Sequence, residues 1–158
     1  MQPKYKTYIA VLVALALSVA SDGLAQNKSS DDNSKGQAGL QYWHAIEKPV
    51  IETSSGLQYK ILIVGNGRKP KLKSTVKVHY RGLLIDGRQF DSSFESDEPV
   101  KFRLTSVIKG WTEGIQLMPT GSVFVFLIPP ELAYGEKGSG PIPPDATLIF
   151  EVELFGTK

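Results

Sequence analysis

TLIFEVELF, residues Thr147–Phe155, is one of the two most β-rich runs of the chain, and Gly121–Ile128 is the other. Side chains of a strand point alternately to opposite faces of the sheet. One set of alternating positions is apolar throughout, and the other is mostly polar. The first holds Leu148, Phe150, Val152 and Leu154, and the second holds Ile149, Glu151 and Glu153. The run therefore predicts a half-buried antiparallel sheet with one apolar face.

Shorter segments upstream extend this sheet. Strands are predicted at Leu57–Val64, Thr75–Arg81, Leu83–Ile85, Arg88–Phe90 and Val100–Leu104. Asp86-Gly87 between two of them is a strong hairpin signal. In Thr75–Arg81 the apolar Val76, Val78 and Tyr80 share one face. Lys77 and His79 fall on the other face, so His79 is expected at the surface.

One short helix is predicted between the strands. Ile108, Trp111 and Ile115 fall on one helical face, and Thr105 or Ser106 is a suitable N-cap. Gly110 and Gly114 lower helix stability relative to alanine, which makes sense if the helix lies close beneath the sheet. The combined pattern predicts an α+β fold, in which a curved antiparallel β-sheet wraps around one short α-helix.

Four motifs follow one another between Phe90 and Phe150. They read FDSS (Phe90–Ser93), VIKGWTEG (Val107–Gly114), LAYG (Leu132–Gly135) and IPPDATLIF (Ile142–Phe150). They gather Tyr, Phe, Ile and Trp around one carboxylate and one phenol. Such a pocket suits a neutral apolar group such as a proline ring, and it does not suit a phosphate, a metal or an acyl-transfer centre.

In this order and spacing the motifs closely resemble the FKBP family of peptidyl-prolyl cis–trans isomerases, from about Gly56 to the C-terminus. The resemblance implies the same fold and a pocket with Trp111 as its floor. It implies aromatic walls from Tyr80, Phe90, Phe102 and Phe150. Val107 and Ile108 would hold the peptide through their backbone groups, and Ile142 would complete the pocket mouth. Val100 stands where many relatives have an aromatic residue.

Asp91 and Tyr134 are the polar residues of the implied site. The resemblance places Asp91 near the bound carbonyl region, in contact with Tyr80 and a basic residue. The basic position falls near Ser96, so Arg81 or Arg88 is a possible substitute. The other interpretation of Asp91 is a turn acid that stabilises the Ser92-Ser93 loop. The Tyr134 phenol can donate to a substrate carbonyl.

Two classes of function are open. The first is a peptidyl-prolyl isomerase with Asp91, Tyr134 and Trp111 as its catalytic residues, which acts on proline-containing polypeptides during folding of exported proteins. The second is a non-catalytic chaperone or partner-docking module that retains the cleft. The resemblance also implies inhibition by macrolides such as rapamycin, which carry a proline-like ring. No cofactor is expected, because isomerisation requires no covalent step.

The composition excludes several other classes of protein. A length of 158 residues predicts about one domain. The net charge of +2 provides no argument for nucleic-acid binding. The absence of cysteine excludes disulfides, thiol catalysis and Cys-based zinc sites. His44 and His79 have no ligand-spaced partner, so no metal site is expected.

The N-terminal quarter divides into three predicted segments. Residues 1–25 carry Lys4, Lys6 and an apolar run too short to span a bilayer, which predicts a cleaved secretory signal peptide and no stable membrane insertion after processing. Residues 26–39 are polar and predict a disordered linker. Residues 40–56 are predicted to form an arm with one short helical turn that packs onto the domain, 57–158; an independent interaction helix is the alternative. The signal peptide predicts a periplasmic or secreted protein. A monomer is expected, since the arm is short compared with the long N-terminal helical segment through which some relatives dimerise.

Overall fold

A computed structural model describes residues 37–96 and 98–158. The segments predicted as signal peptide and most of the linker therefore lie outside the described residues. The helices are α1 (Ala38–Ala45) and α2 (Lys109–Leu117). The strands are β1 (Ile51–Glu52), β2 (Gln58–Ile63), β3 (Thr75–Leu84), β4 (Gln89–Ser92), β5 (Val100–Arg103), β6 (Val123–Ile128) and β7 (Leu148–Thr157).

The seven strands form one antiparallel sheet in the order β1-β2-β6-β7-β3-β4. β3 is central because β7 pairs with one of its edges, while β4 and β5 share the other edge. The predicted hairpin is confirmed between β3 and β4, where Gly87 adopts a φ of 88°. That value lies in the left-handed region, which glycine occupies without a steric penalty.

The inner face of the sheet packs on α2, which confirms the α+β fold. Gly110 and Gly114 allow a close approach of helix and sheet. A Cβ atom on Gly110 would lie 2.5 Å from Ile128 Cγ2, and one on Gly114 would lie 2.6 Å from Phe126 Cε1. Trp111 and Ile115 point from the same helix into the core. The loss of intrinsic helix stability at the two glycines is therefore compensated by tertiary packing.

The N-cap prediction for this helix is wrong. Thr105 and Ser106 belong to a separate 3₁₀ turn, Leu104–Ser106, and the N-cap of α2 is Ile108, without a capping side chain. Thr112 instead connects the turn to the helix, because its Oγ1 donates to the Leu104 carbonyl at 2.6 Å. Val107 and Ile108, between the turn and α2, have extended backbone angles that interrupt the helix predicted from the capping residues.

The outer face of the sheet is buried over β7, in contrast to the half-solvated sheet predicted from alternation. Ile149 is fully buried and Glu151 is 2% exposed. α1 lies against this face: the Tyr42 hydroxyl donates to Glu151 Oε2 at 2.8 Å, and the Gly39 N–H donates to the Ile85 carbonyl at 2.9 Å. Alternation in sequence records polarity, whereas burial depends on a covering element from elsewhere in the chain.

A row of charged residues crosses this covered face. Lys60, Glu151 and Arg81 lie on neighbouring strands in one register, with Val125 between the first two. Arg81 pairs with Glu151 at 3.0 Å. The Lys60 ammonium donates to the Trp43 and Ile46 carbonyls at 2.8 Å each. Each buried charge thus has a partner, which offsets the cost of removing it from water.

The surface position predicted for His79 is wrong, because its side chain is 1% exposed. Its ring stacks on Phe94 at 4.8 Å and meets Phe155 edge-on at 5.7 Å. Its Nδ1 lies 2.8 Å from Ser93 Oγ. The connection after β4 folds back over the outer face and covers the ring. Strand periodicity assigns the face correctly but contains no information about this cover.

Across residues 37–96 and 98–158, no helix is both long and apolar enough to cross a membrane.

Candidate active site

A cavity of about 390 Å³ opens between the sheet and the start of α2. Its lining comes from β3, β4, β5, α2, β7, the segment that enters α2 and the loop between β6 and β7. The lining residues are Tyr80, Asp91, Phe102, Ser106, Val107, Ile108, Trp111, Tyr134 and Phe150. Strand alternation explains the contributions of Tyr80, Phe102 and Phe150, since each points to the inner face. The cavity is therefore built by the sheet and the helix together.

Trp111 anchors the aromatic wall of this cavity. It is 4% exposed, and its ring meets Tyr80, Phe102 and Phe150 edge-to-face at centroid distances of 5.0, 5.5 and 5.2 Å. Edge-to-face pairs place the positive edge of one ring on the negative face of another and hold both in position. The indole N–H is buried and has no hydrogen-bond partner among the described residues. A ligand carbonyl would satisfy this donor.

Two phenols, together with Asp91 and Ser106, provide the polar groups of a mainly apolar lining. The Tyr80 hydroxyl donates to Asp91 Oδ2 at 2.7 Å. Burial, followed by this hydrogen bond, raises the pKa of Tyr80 far above its usual value. Burial and the charge of Asp91 also raise the pKa of Tyr134, which is 39% exposed. Both phenols therefore remain protonated at physiological pH and retain a proton to donate.

Neither arginine considered as a partner of Asp91 fills that role. Arg81 pairs with Glu151 at 3.0 Å, and Arg88 pairs with Asp86 at 2.8 Å. Among the described residues, Tyr80 is the hydrogen-bond donor to the Asp91 carboxylate. The Ser96 hydroxyl instead donates to the Ser93 carbonyl at 3.0 Å.

Three residues expected in the site lie behind its lining. Phe90 packs edge-on against Phe150 at 5.4 Å, and Val100 packs against the core from β5. Ile142, expected at the mouth, is 6% exposed and belongs to the core cluster. Conversely, Ser106 lines the cavity although the sequence indicated it only as a possible helix N-cap and not as a site residue. Its position directly before Val107 is the only sequence signal that could have indicated it.

No group of three or more His, Cys, Asp or Glu side chains within residues 37–96 and 98–158 is arranged to hold a metal ion.

A curved antiparallel sheet over one helix, with an aromatic cavity between them, defines the class of fold. Residues 66–155 match the sequence profile of the FKBP-type peptidyl-prolyl cis-trans isomerases. The chain belongs to this family.

Relatives and solved structures agree with that membership. The FKBP-type isomerase FkpA of Aeromonas hydrophila is 50% identical over 134 residues, which are 85% of this chain and 50% of that protein. A probable FKBP-type isomerase of Haemophilus influenzae is 45% identical over 156 residues, 98% of this chain and 62% of that protein. The crystal structure of FkpA from Escherichia coli matches with a TM-score of 0.70 and 40% identity, and the match covers 100% of this chain and 73% of that one. The chain thus spans roughly half to three fifths of the length of these curated relatives.

Proposed function

We propose that the chain is a peptidyl-prolyl cis–trans isomerase that acts on X–Pro bonds of polypeptides without covalent chemistry. The observation that carries the proposal is the cavity of about 390 Å³, whose aromatic walls converge on Trp111 and whose mouth bears a phenol. Its size and apolar lining suit a pyrrolidine ring. Family membership supports the same activity.

The proposed mechanism follows from the physical chemistry of the amide bond. Resonance makes rotation cost ~18–20 kcal/mol, and the twisted amide loses both that resonance and part of the polarity of its carbonyl. An apolar cavity disfavours the charge-separated planar form relative to the twisted one. Trp111 would support the ring, while Tyr134 would donate to a carbonyl of the bound peptide. Asp91 would hold the Tyr80 phenol in place through their 2.7 Å hydrogen bond.

A kinetic assay on a Leu-Pro peptide tests the activity. Catalysed exchange should rise linearly with enzyme concentration above the uncatalysed rate, which has a time constant of tens to hundreds of seconds. Saturable peptide binding with no acceleration would instead identify the alternative, a non-catalytic chaperone or docking module. Absence of both acceleration and saturable peptide binding would contradict the assignment of this cavity as a peptide-binding site.

We also propose that macrolides such as rapamycin bind this cavity and inhibit the activity. The proline-like ring of the ligand would lie against Trp111, where the substrate proline is proposed to lie. Titration in a Trp43→Phe background would isolate the fluorescence of Trp111 from that of α1. A saturable change that parallels inhibition is expected, and no change at high ligand concentration would contradict the assignment.

For the intact protein we propose export with removal of residues 1–25, followed by action as a periplasmic or secreted monomer. The charged and apolar pattern of the first 25 residues supports this proposal. Mass spectrometry of the exported protein should find an N-terminus near Gln26 or Ser21. Recovery of the full-length chain in the membrane fraction would contradict cleavage, and light scattering would measure the oligomeric state.

A further inference from the structure

The carboxylate of Asp91 lines the candidate cavity without a cationic partner among the described residues. It accepts one hydrogen bond, from the neutral phenol of Tyr80. The two arginines closest along the chain are engaged elsewhere, Arg81 with Glu151 and Arg88 with Asp86. A carboxylate beside aromatic walls is favoured by a nearby positive charge. Within the described residues, the protein does not supply that charge.

Neither the cavity lining nor the connection after β4 supplies a cation for this position. The nine lining residues of the cavity include no lysine, arginine or histidine. The connection from Ser93 to Pro99 contains no lysine or arginine, and it carries Glu95 and Glu98. Glu95 accepts a hydrogen bond from Gln89 at 3.1 Å, so its carboxylate lies beside β4, which also carries Asp91. The connection after β4 therefore adds negative charge beside the strand that carries Asp91.

The charge of Asp91 also acts on Tyr134, which lines the same cavity. This charge contributes, after burial, to the raised pKa of Tyr134, which is located in the loop between β6 and β7. Any peptide that enters between Tyr134 and Asp91 therefore passes through this negative potential. A bound ligand also displaces water from the cavity, which strengthens the interaction of the carboxylate with a ligand charge.

We propose that the site selects X–Pro bonds in which a lysine or arginine lies next to the proline, and that Asp91 is the residue that determines this preference. The ligand's cation would serve as the counterion that the described residues lack. The inference rests on the isomerase activity proposed above and specifies its substrate class. Asp91 is exposed to solvent in the unliganded protein, so the preference should be about two- to fivefold in kcat/KM at low salt.

The experiment compares peptides that differ in the residue before proline. Lys-Pro, Gln-Pro, Leu-Pro and Glu-Pro peptides are measured by exchange NMR, which avoids a coupling protease with its own preferences. The expected order places Lys first and Glu last, with Gln between them. The Lys-to-Gln ratio should fall towards one as salt rises, because the Debye length shrinks from about 30 Å at 0.01 M to about 3 Å at 1 M.

Variants assign the preference to Asp91. Asp91→Asn should bring the Lys-to-Gln ratio close to one, whatever it does to the absolute rate. If its rate is too low to measure, the same ratio is read from peptide affinities by Trp111 fluorescence. Ser96→Arg should also reduce the ratio by supplying a cation in the connection after β4, while Ser96→Gln controls for side-chain size. Glu52→Gln, on the opposite edge strand β1, removes an equal charge and should leave the ratio unchanged.

The outcomes separate the two proposals. Turnover of all four peptides at equal rates, with the ratio near one in the parent protein, would overturn the charge preference and leave the isomerase assignment intact. A preference that survives in Asp91→Asn would overturn the role of this residue. Absence of turnover on every peptide would overturn the isomerase assignment and the substrate class with it.

Discussion

At the scale of single residues, the candidate site combines rigid rings with two phenols of different character. Tyr80 is 7% exposed and tied to Asp91, so its hydroxyl is already committed. Tyr134 is 39% exposed, and its hydroxyl makes no hydrogen bond within the described residues. Tyr134 is therefore the phenol that is available to a ligand, whereas Tyr80 acts through the shape of the wall.

Tyr134→Phe tests this distinction. Loss of one hydrogen bond to the substrate should lower kcat/KM by about two- to tenfold. The urea midpoint of unfolding should remain nearly unchanged, because the hydroxyl has no partner in the described part of the protein. Tyr59→Phe is the matched control. Tyr59 stacks on Phe124 outside the cavity, so removal of its hydroxyl should leave kcat/KM unchanged. Activity that falls only in proportion to folded protein would indicate a structural phenol.

At the scale of elements, helix α2 lies close to the sheet because two of its positions are glycines without a side chain. Gly114 faces the ring of Phe126, which is 1% exposed, and a Cβ atom there would lie 2.6 Å from Phe126 Cε1. The second contact, from Gly110 to Ile128, repeats the arrangement one turn earlier. Because Trp111 lies between them, the same close approach sets the position of the indole.

Gly114→Ala should destabilise the protein by up to about 2 kcal/mol. Overpacking costs typically 1–3 kcal/mol, and a gain of about 1 kcal/mol in helix propensity offsets part of it. Urea denaturation measures the change. Gly156→Ala in β7 is the control, because a Cβ there meets nothing within 4 Å. Greater stability of Gly114→Ala than of the parent would show that the helix can move away from the sheet.

Helix α1 is the second element whose role becomes clear from its contacts. It covers the charged row on the outer face, and Tyr42 provides one of the two donors to Glu151 Oε2. Tyr42→Phe should lower the free energy of unfolding by about 1–3 kcal/mol, because a buried carboxylate loses a partner. The kcat/KM of the folded variant should stay unchanged, since the cavity lies on the other face. A loss of activity at constant stability would contradict this separation.

At the scale of the whole molecule, the covered outer face links folding to pH. Burial, followed by the charge of Glu151, raises the pKa of Glu153 to about 7. Glu153 Oε2 is buried without a hydrogen-bond partner among the described residues, and the side chain lies beside His79 on β3. The folded state therefore binds a proton on the Glu153 carboxyl more tightly than the unfolded chain does, where a glutamate has a pKa near 4.3.

The contribution of Glu153 to stability should therefore be complete below about pH 4.3 and lost as the pH rises through about 7. Solvent screening of this partly exposed residue limits the loss to about 1–2 kcal/mol. Thermal melts from pH 5 to 8 measure it, with Glu153→Gln as the variant that lacks the titration. As pH rises, the Tm of the parent should fall relative to the Tm of the Glu153→Gln variant. A constant difference would contradict the raised pKa.

The sequence by itself determined the inner half of this molecule. The alternation in β7 and the Asp86-Gly87 hairpin each depend on neighbours within a few residues, where local geometry dictates the outcome. Strand alternation placed Tyr80 and Phe150 on the apolar faces of their strands, and helical periodicity placed Trp111 on an apolar helix face; all three line the cavity. The resemblance to the FKBP family extended this to Phe102, Asp91 and Tyr134, which line the same cavity.

Only the tertiary structure decided what covers the other face and which charges meet. His79, Ile149 and Glu151 are buried because α1 and the connection after β4 lie over them, and the Tyr42–Glu151 contact spans 109 residues. Arg81 pairs with Glu151 and Arg88 with Asp86, because these are the carboxylates that each side chain reaches in space. Among the described residues, Asp91 therefore has only the Tyr80 phenol as its hydrogen-bond donor. Polarity is a property of each residue, whereas burial and pairing are properties of segments that meet across the fold.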